Sequence, residues 1–340
     1  MIKLKPFDVF IFGDGKPFNA SEHTFRQGSF FINPVPILGA LNKYTGKKLN
    51  IDFLALGKDK NACFKVPVEI KREKSTKRII TPVLKKISEA VTPIEDLKYI
   101  LDYQTSEKME SFNTYLKDEE FIKYLTGEDF QITEENTITP IPEIRTGISI
   151  DHKTKTVKEG YLFTQIFYRL PEDAYFLVKT EDMENLETVS LGGEGKTAKV
   201  FKLDTNIIEK LEKAKEKIKE QVKKTKLFKI VLLTATNKVK SIEGTQIIAK
   251  NLGKPIVFSG WIKKDGKSFP TRLFKLIPEG SVIYYKLEDE AKLDEIFDKY
   301  YLKPAFFEKE YPYFDIKNPS GFGLSIIGIV KGGIKWKKKK

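Results

Sequence analysis

The sequence predicts an α+β protein whose domains are of the ferredoxin type. Two observations carry the prediction. Strand-like runs and helical stripes alternate in the order strands, helix, strands, helix, strand, with no short internal repeat. The chain has 340 residues, too many for one small core, so two domains with insertions are expected. With 40% hydrophobic and 31% charged residues, the composition is that of a globular protein.

Leu4 to Gly13 is rich in β-branched and aromatic residues and reads as a strand that Asp14-Gly15 ends with turn chemistry. A long aromatic and polar loop, Lys16 to Asn33, follows. Pro34 to Tyr44 reads as a helix with Ile37, Leu38 and Leu41 on one face and its prolines in or before the first turn. The stretch from Lys65 to Lys86 reads as a hairpin with a basic tip, Arg72 to Lys77. Beyond it, residues 93–142 look like an insertion, helical around Asp96–Tyr103 and Met109–Leu125. Its acidic part, Asp118 to Glu143, would avoid phosphate and suits a protein partner. Glu159–Leu170, Tyr175–Lys179, Glu187–Leu191 and Thr197–Leu203 read as strands. Asp204 to Lys224 is the clearest helix, capped by Thr205 or Asn206, with Ile207, Leu211, Ala214, Ile218 and Val222 as its apolar stripe. Leu227–Thr234 is a short apolar run and reads as a buried strand. Strands over Ile256–Trp261, Ser268–Leu276 and Ser281–Leu287, a helix over Glu288–Tyr301 and a strand over Leu324–Val330 complete the pattern. The division expected is 1–150, with the basic hairpin and acidic insertion, and 151–340, with glycine-rich loops and a basic tail.

Sixty Lys and Arg face 47 Asp and Glu, a formal charge of +13. The excess points to an anionic partner, nucleic acid first, over the alternative of a charge-rich thermophile surface. Cys63 is the only cysteine, which excludes an internal disulfide and suits a reducing cytosol. One cysteine and two histidines leave little material for a zinc site. No apolar run approaches the roughly 20 residues a bilayer needs, and the start does not resemble a signal peptide. A cytoplasmic protein is expected.

Ser190 to Thr197 mimics a phosphate-binding loop, but serine replaces the first glycine and a strand-like run follows where that loop needs a helix. Two readings remain beside a nucleotidase. One is a glycine-rich turn between strands. The other is a backbone cradle for RNA phosphate through Gly192, Gly193 and Gly195, aided by Lys196 and Lys199. Lys16-Pro-Phe18, Phe25-Arg26, Phe30-Phe31 and Lys267 to Arg272 interleave cations with rings, as single-stranded RNA requires. His23 is either a stacking or hydrogen-bonding residue or the general base of a metal-free ribonuclease. Gly321-Phe-Gly323 opens the last strand and permits a bulge or close packing. The Gly332–Lys340 tail ends in four lysines, which either fray or lie along RNA.

Several stretches resemble a known family. They are Pro6 to Phe18, Ile37-Leu-Gly-Ala-Leu41, Arg145 to Asp151, Gly160 to Thr164, Leu191 to Gly195, Leu232-Leu-Thr234, Ser259-Gly-Trp261, Pro270-Thr-Arg272, Ile277 to Ser281 with Tyr284-Tyr285, and Gly321-Phe-Gly323. In that order they are similar to the third Cmr subunit of type III-B CRISPR effectors, in the repeat-associated mysterious protein superfamily. Gly13 and Lys16 stand where that family more often has arginine. The resemblance implies two ferredoxin-like domains, no catalysis and no cofactor. It also implies a cytosolic antiviral ribonucleoprotein in which this subunit binds the 5′ tag of the guide RNA. There it would contact the large polymerase/cyclase-like subunit and the backbone subunit. The residues expected to meet RNA are Lys16, Phe18, His23, Arg26, Arg145, Gly192, Gly193, Gly195, Lys196, Lys199, Phe269, Arg272, Lys275, Gly321 and Gly323. Within the same superfamily, a metal-independent repeat-RNA endonuclease using His23 is the alternative, and an adaptor whose basic surface meets an acidic neighbour is a third reading.

Overall fold

The computed structural model describes residues 1–12, 25–26, 30–86, 99–181, 187–259, 261–264, 267–270, 272–308 and 320–331. The first sheet begins with β1 (Ile2–Pro6). Helix α1 (Pro34–Thr45) follows, and its N-terminus is closed by Asn33, whose side chain accepts from the Val35 amide. The hairpin β2 (Phe53–Lys58) and β3 (Asn61–Lys65) comes next, then α2 (Asp118–Thr126). The long hairpin β4 (Ile141–Ile150) and β5 (Val157–Arg169) leads to β6 (Ala174–Lys179), β7 (Thr188–Ser190) and β8 (Thr197–Lys202). Eight strands form an antiparallel sheet in the order Thr137–Ile138, Tyr115–Lys117, β3, β2, β6, β1, β8, β7. Sheet pairing therefore crosses residue 150 and runs on to Lys202. Helix α3 (Ile207–Thr225) then opens the second half, with β9 (Leu227–Leu232), β10 (Thr245–Asn251), β11 (Val282–Leu287), α4 (Leu293–Tyr300) and β12 (Ser325–Ile329). Its sheet is ordered β10, β11, β9, β12. The two sheets share one connectivity: the first strand lies between the third and the fourth, and the second lies outside the third.

Alternation explains the layers. Along β2, Leu54 and Leu56 face α1 with Ile37, Leu38 and Leu41. Phe53 and Ala55 face the opposite way, into a core shared with α2, α3 and the second sheet. The α3 stripe Ile207, Leu211, Ala214, Ile218 and Val222 is buried as its spacing predicts. All six residues of β9 are buried, as a strand covered on both faces requires. Each fully buried Leu, Ile or Phe contributes about 1.5–3 kcal/mol.

Several expectations are corrected. The run Leu4–Gly13 is not one strand. After Pro6 the chain bends at Phe7 and Asp8, leaves the first sheet, and Phe10 bridges to Tyr168 of β5. Around Asp96–Tyr103, residues 99–102 form a strand on 83–86, and 96–98 lie outside the described residues. Met109–Ser111 is likewise a strand, paired with Lys71–Glu73, and only Asp118–Thr126 is helical. Pairing with the basic hairpin overrides local preference there; Arg72 meets Glu110 at 3.2 Å. Asn206 caps α3 without a side-chain bond, and Thr205 Oγ1 donates instead to the Lys60 carbonyl at 2.9 Å. Acid from the insertion meets the chain's own basic helix: Lys210 reaches the buried Asp118 at 3.1 Å, and Lys217 reaches Glu128 at 2.7 Å. The hairpin β2–β3, which holds the buried Cys63, and strand β10 had no clear sequence signal.

Two buried carboxylates join the halves. Glu69 accepts from Lys229 Nζ at 2.9 Å, from Tyr124 at 2.8 Å and from Tyr284. Burial pulls the Lys229 ammonium below its ordinary pKa, and Glu69 opposes that pull. Lys229→Met leaves Glu69 buried without its cation. Such a loss destabilises by roughly 3–5 kcal/mol, and adding Glu69→Gln recovers most of it. Urea unfolding measures both, and an unchanged midpoint in the single variant would remove the pair from the fold's support.

Candidate nucleic-acid interface

The loop expected to carry RNA contacts runs from residue 13 to 29, and both of its roots are fixed. At the first root, residues 9–11 run beside β5, with Phe10 and Tyr168 exchanging two backbone bonds at 2.9 Å. Val9 and Ile11 pack with Phe167. At the second root, Phe30 packs edge-on to Tyr115, and Phe31 meets Phe258. The amide of Ile32 donates to both oxygens of Glu279, at 3.2 and 3.3 Å. Tyr115 also donates to Glu279.

The glycine-rich segment joins the first root. Leu191 N donates to the Lys196 carbonyl at 2.8 Å and closes a turn between β7 and β8. Gly193 N donates to the Ile11 carbonyl at 3.2 Å. Gly192 has φ +80°, and a Cβ there would lie 2.5 Å from the Ile11 oxygen, so only glycine lets the two backbones meet. A strand follows this turn, not a helix, so no helix N-terminus faces it as a nucleotide loop requires.

Beside the turn is a charged ledge on the inner face of β4 and β5. Arg145 NH2 lies 3.2 Å from Asp8 and 2.6 Å from Glu143. Arg169 NH2 lies 2.8 Å from each of the same carboxylates. Lys196 Nζ is 3.9 Å from Asp8. Arg145 and Lys196 also stand over the Phe167 ring, at 5.2 and 5.5 Å. Burial pushes the Asp8 carboxyl up, but hydrogen bonds from Arg145 and Arg169 outweigh it and hold it below its ordinary value. Arg169 and then Arg145 lower Glu143 in the same way. The ledge is open to water, with Arg169 43% and Asp8 45% exposed. Exposed pairs contribute about 0–1 kcal/mol, so these carboxylates orient the guanidiniums and still yield to a phosphate.

The remaining candidates divide by place. Lys16, Phe18 and His23 lie outside the described residues. Phe25-Arg26 is a short strand, parallel to β5 at Thr164 and Gln165. Lys199 is exposed on β8 opposite Lys5 of β1. Arg272 and Lys275 are exposed on a second arm, the hairpin of 256–276, whose base packs against Phe31. Phe269 lies in the outer part of that arm, in the strand Lys267–Pro270. Gly321 and Gly323 are buried. Their left-handed backbones (φ +89° and +68°) lie against Pro34, where a Cβ on Gly321 would come within 2.7 Å, and against the Phe307 amide, within 2.4 Å of a Cβ on Gly323. Close packing inside the chain therefore accounts for these two glycines. Sequence reasoning missed Asp8, Glu143, Phe167, Arg169 and Glu279. Asp8 and Glu279 lay inside noted stretches, but only the fold shows what they touch. Among the described residues no group of three His, Cys, Asp or Glu is placed to hold a metal ion, and no helix is long and apolar enough to cross a membrane.

An α+β chain with two sheets of like connectivity and a cationic, glycine-bearing ledge is the kind of protein that known families can be compared with directly. The family model described as "CRISPR-associated protein (Cas_Cmr3)" matches residues 2–89 and 57–330. The chain belongs to this family of CRISPR-associated proteins. No curated protein sequence matches. Among solved structures, one similar chain is from "Cryo-EM structure of the Type III-B Cmr-beta bound to cognate target RNA and AMPPnP, state 1", with TM-score 0.48, 16% identity, and coverage of 83% of this chain and 85% of that one. Another is from the same assembly bound to cognate target RNA, with TM-score 0.47, 15% identity, and coverage of 88% and 89%.

Burial raises the Glu279 carboxyl to about 7. The folded state then holds this proton more tightly than the unfolded chain does. Stability therefore rises as pH falls through 7 toward the ordinary carboxyl range, where the gain is complete, and the gain is lost as pH climbs back above 7. The whole span is on the order of 3 kcal/mol. Glu279→Gln removes this component, so urea midpoints of the two proteins should diverge between pH 8 and pH 5. Parallel pH profiles would show that Glu279 does not titrate in this window.

Proposed function

We propose that this chain is the non-catalytic subunit of a type III-B CRISPR effector that grips the 5′ tag of the guide RNA. It also scaffolds the large polymerase/cyclase-like subunit and the backbone subunit. Family membership supports the complex. The strand order supports two ferredoxin-like units, one built on β1, β2, β6 and β8 and the other on β9 to β12. One observation carries the RNA reading. The glycine turn is stitched to Ile11, and Arg145, Arg169 and Lys196 stand together beside it, at the root of the segment that bears Lys16, Phe18 and His23.

The chemistry is that of holding. Gly192, Gly193 and Gly195 are exposed and offer backbone without side chains in the way of a phosphate. The cations supply charge, and Arg26, Lys199, Arg272, Lys275 and the rings Phe18 and Phe269 extend the grip along a single strand. Nothing in this arrangement alters the RNA.

Arg145→Ala combined with Lys196→Ala should weaken binding of tag RNA about tenfold or more and flatten its salt dependence by ~0.7 for each phosphate that is no longer neutralised. A salt titration in which slope and affinity both stay unchanged removes the ledge from RNA binding. Repeat RNA incubated with the protein in chelator should stay intact. Specific cleavage abolished by His23→Ala would instead make the chain an endonuclease.

A further inference from the structure

The hairpin β4–β5 has two unlike faces. Its inner face carries Glu143, Arg145, Phe167 and Arg169 and packs at its root on Val9 and Ile11. Its outer face is bare. Along β4, exposure alternates residue by residue, and the outward positions are Pro142, Ile144, Thr146, Ile148 and Ile150. Cross-strand register puts Ile166 opposite Ile144, Thr164 opposite Thr146 and Val157 opposite Ile150. Ile144 is 66% exposed and Val157 56%, and Ile148 and Ile150 are each 48% exposed. Single exposed apolar side chains are ordinary, but an uninterrupted apolar ridge on one face marks an interaction site.

We infer that this outer face is a docking surface for a neighbouring protein subunit of the effector, one that presents an uncharged apolar surface. Charge decides the occupant. RNA needs cations at its phosphates, and the outward positions named above carry none, whereas both arginines of the hairpin point inward. The same inward charges oppose simple edge-to-edge pairing with a second copy. β4 is the terminal strand of its three-stranded sheet among the described residues, so the face stands clear for an incoming partner. RNA on the inner ledge and protein on the outer ridge would let one hairpin set the spacing between guide and neighbour. The inference does not depend on the RNA reading, because the two faces are tested separately.

The test replaces Ile144 and Ile148 together by lysine and follows the isolated chain and the co-expressed complex. Recovery of the other effector subunits with the tagged variant should fall at least about tenfold, as loss of a central apolar anchor implies. The isolated variant should melt within about 2 °C of the parent, as exposed substitutions do. Its tag-RNA affinity should be equal or higher, since lysine only adds charge. The same fall with Ile144→Thr and Ile148→Thr, which keep the strand's preferences, guards against misfolding in the lysine variant. Full recovery of the complex overturns the inference. So does a melting loss of more than about 5 °C in both variant pairs, which would mean the chain's own residues cover the face. A parent dimer that becomes monomeric would assign the face to a second copy, and weaker RNA binding with intact assembly would assign it to RNA. Either result also overturns the inference.

Discussion

A charge can be buried in a protein only if it is met on arrival, and the two halves of this molecule use that constraint on each other. Glu69, from the first half, enters the second and meets Lys229 and Tyr284. Glu279, from the second half, enters the first and meets Tyr115 and the Ile32 amide. Pulling the halves apart would strand both carboxylates in an apolar setting at once, at a penalty of several kcal/mol each. The exchange also has a positional result. Ile32 is the point where the long basic loop returns to the body, so the second half fixes where that loop ends.

The first root of the loop is held by backbone alone. There the chain relies on glycine at 192 to bring two strands' main chains together, and the charged ledge grows from that contact. Its arginines are held by weak, wet ion pairs. Such pairs keep long side chains oriented at little energetic consequence, which suits a surface that must exchange internal carboxylates for an external anion. Glycines at 321 and 323 answer a different demand, the passage of one buried segment against Pro34 and Phe307. The same residue type thus serves a surface turn in one place and interior packing in another, and sequence pattern alone does not separate them.

Periodicity made the helices α1, α3 and α4 and most strands of the second half legible, because each buries one regular stripe or a short apolar run. It failed where pairing partners lie far away in sequence. The segment around Met109 looked helical, yet Lys71–Glu73 draws it into a strand. Phe10 belongs to a run that reads as continuous, yet Pro6 ends one pairing and Tyr168 begins another. At the ledge, Lys196 and Arg145 stood out through their motifs. Arg169 sat inconspicuously at the end of a strand, and Asp8 and Glu143 looked like ordinary surface acids. Their significance is a matter of register: Glu143 lies opposite Phe167 and Ile141 opposite Arg169, so all share one face.

Cys63 lies in β3, wholly enclosed, where burial raises its thiol far above the ordinary range. The native molecule therefore offers no reactive sulfur, and Cys63 is its single cysteine. A thiol introduced on either arm would be the sole target of an alkylating dye or spin label. Distances between the hairpins could then be followed during assembly without first removing any natural residue.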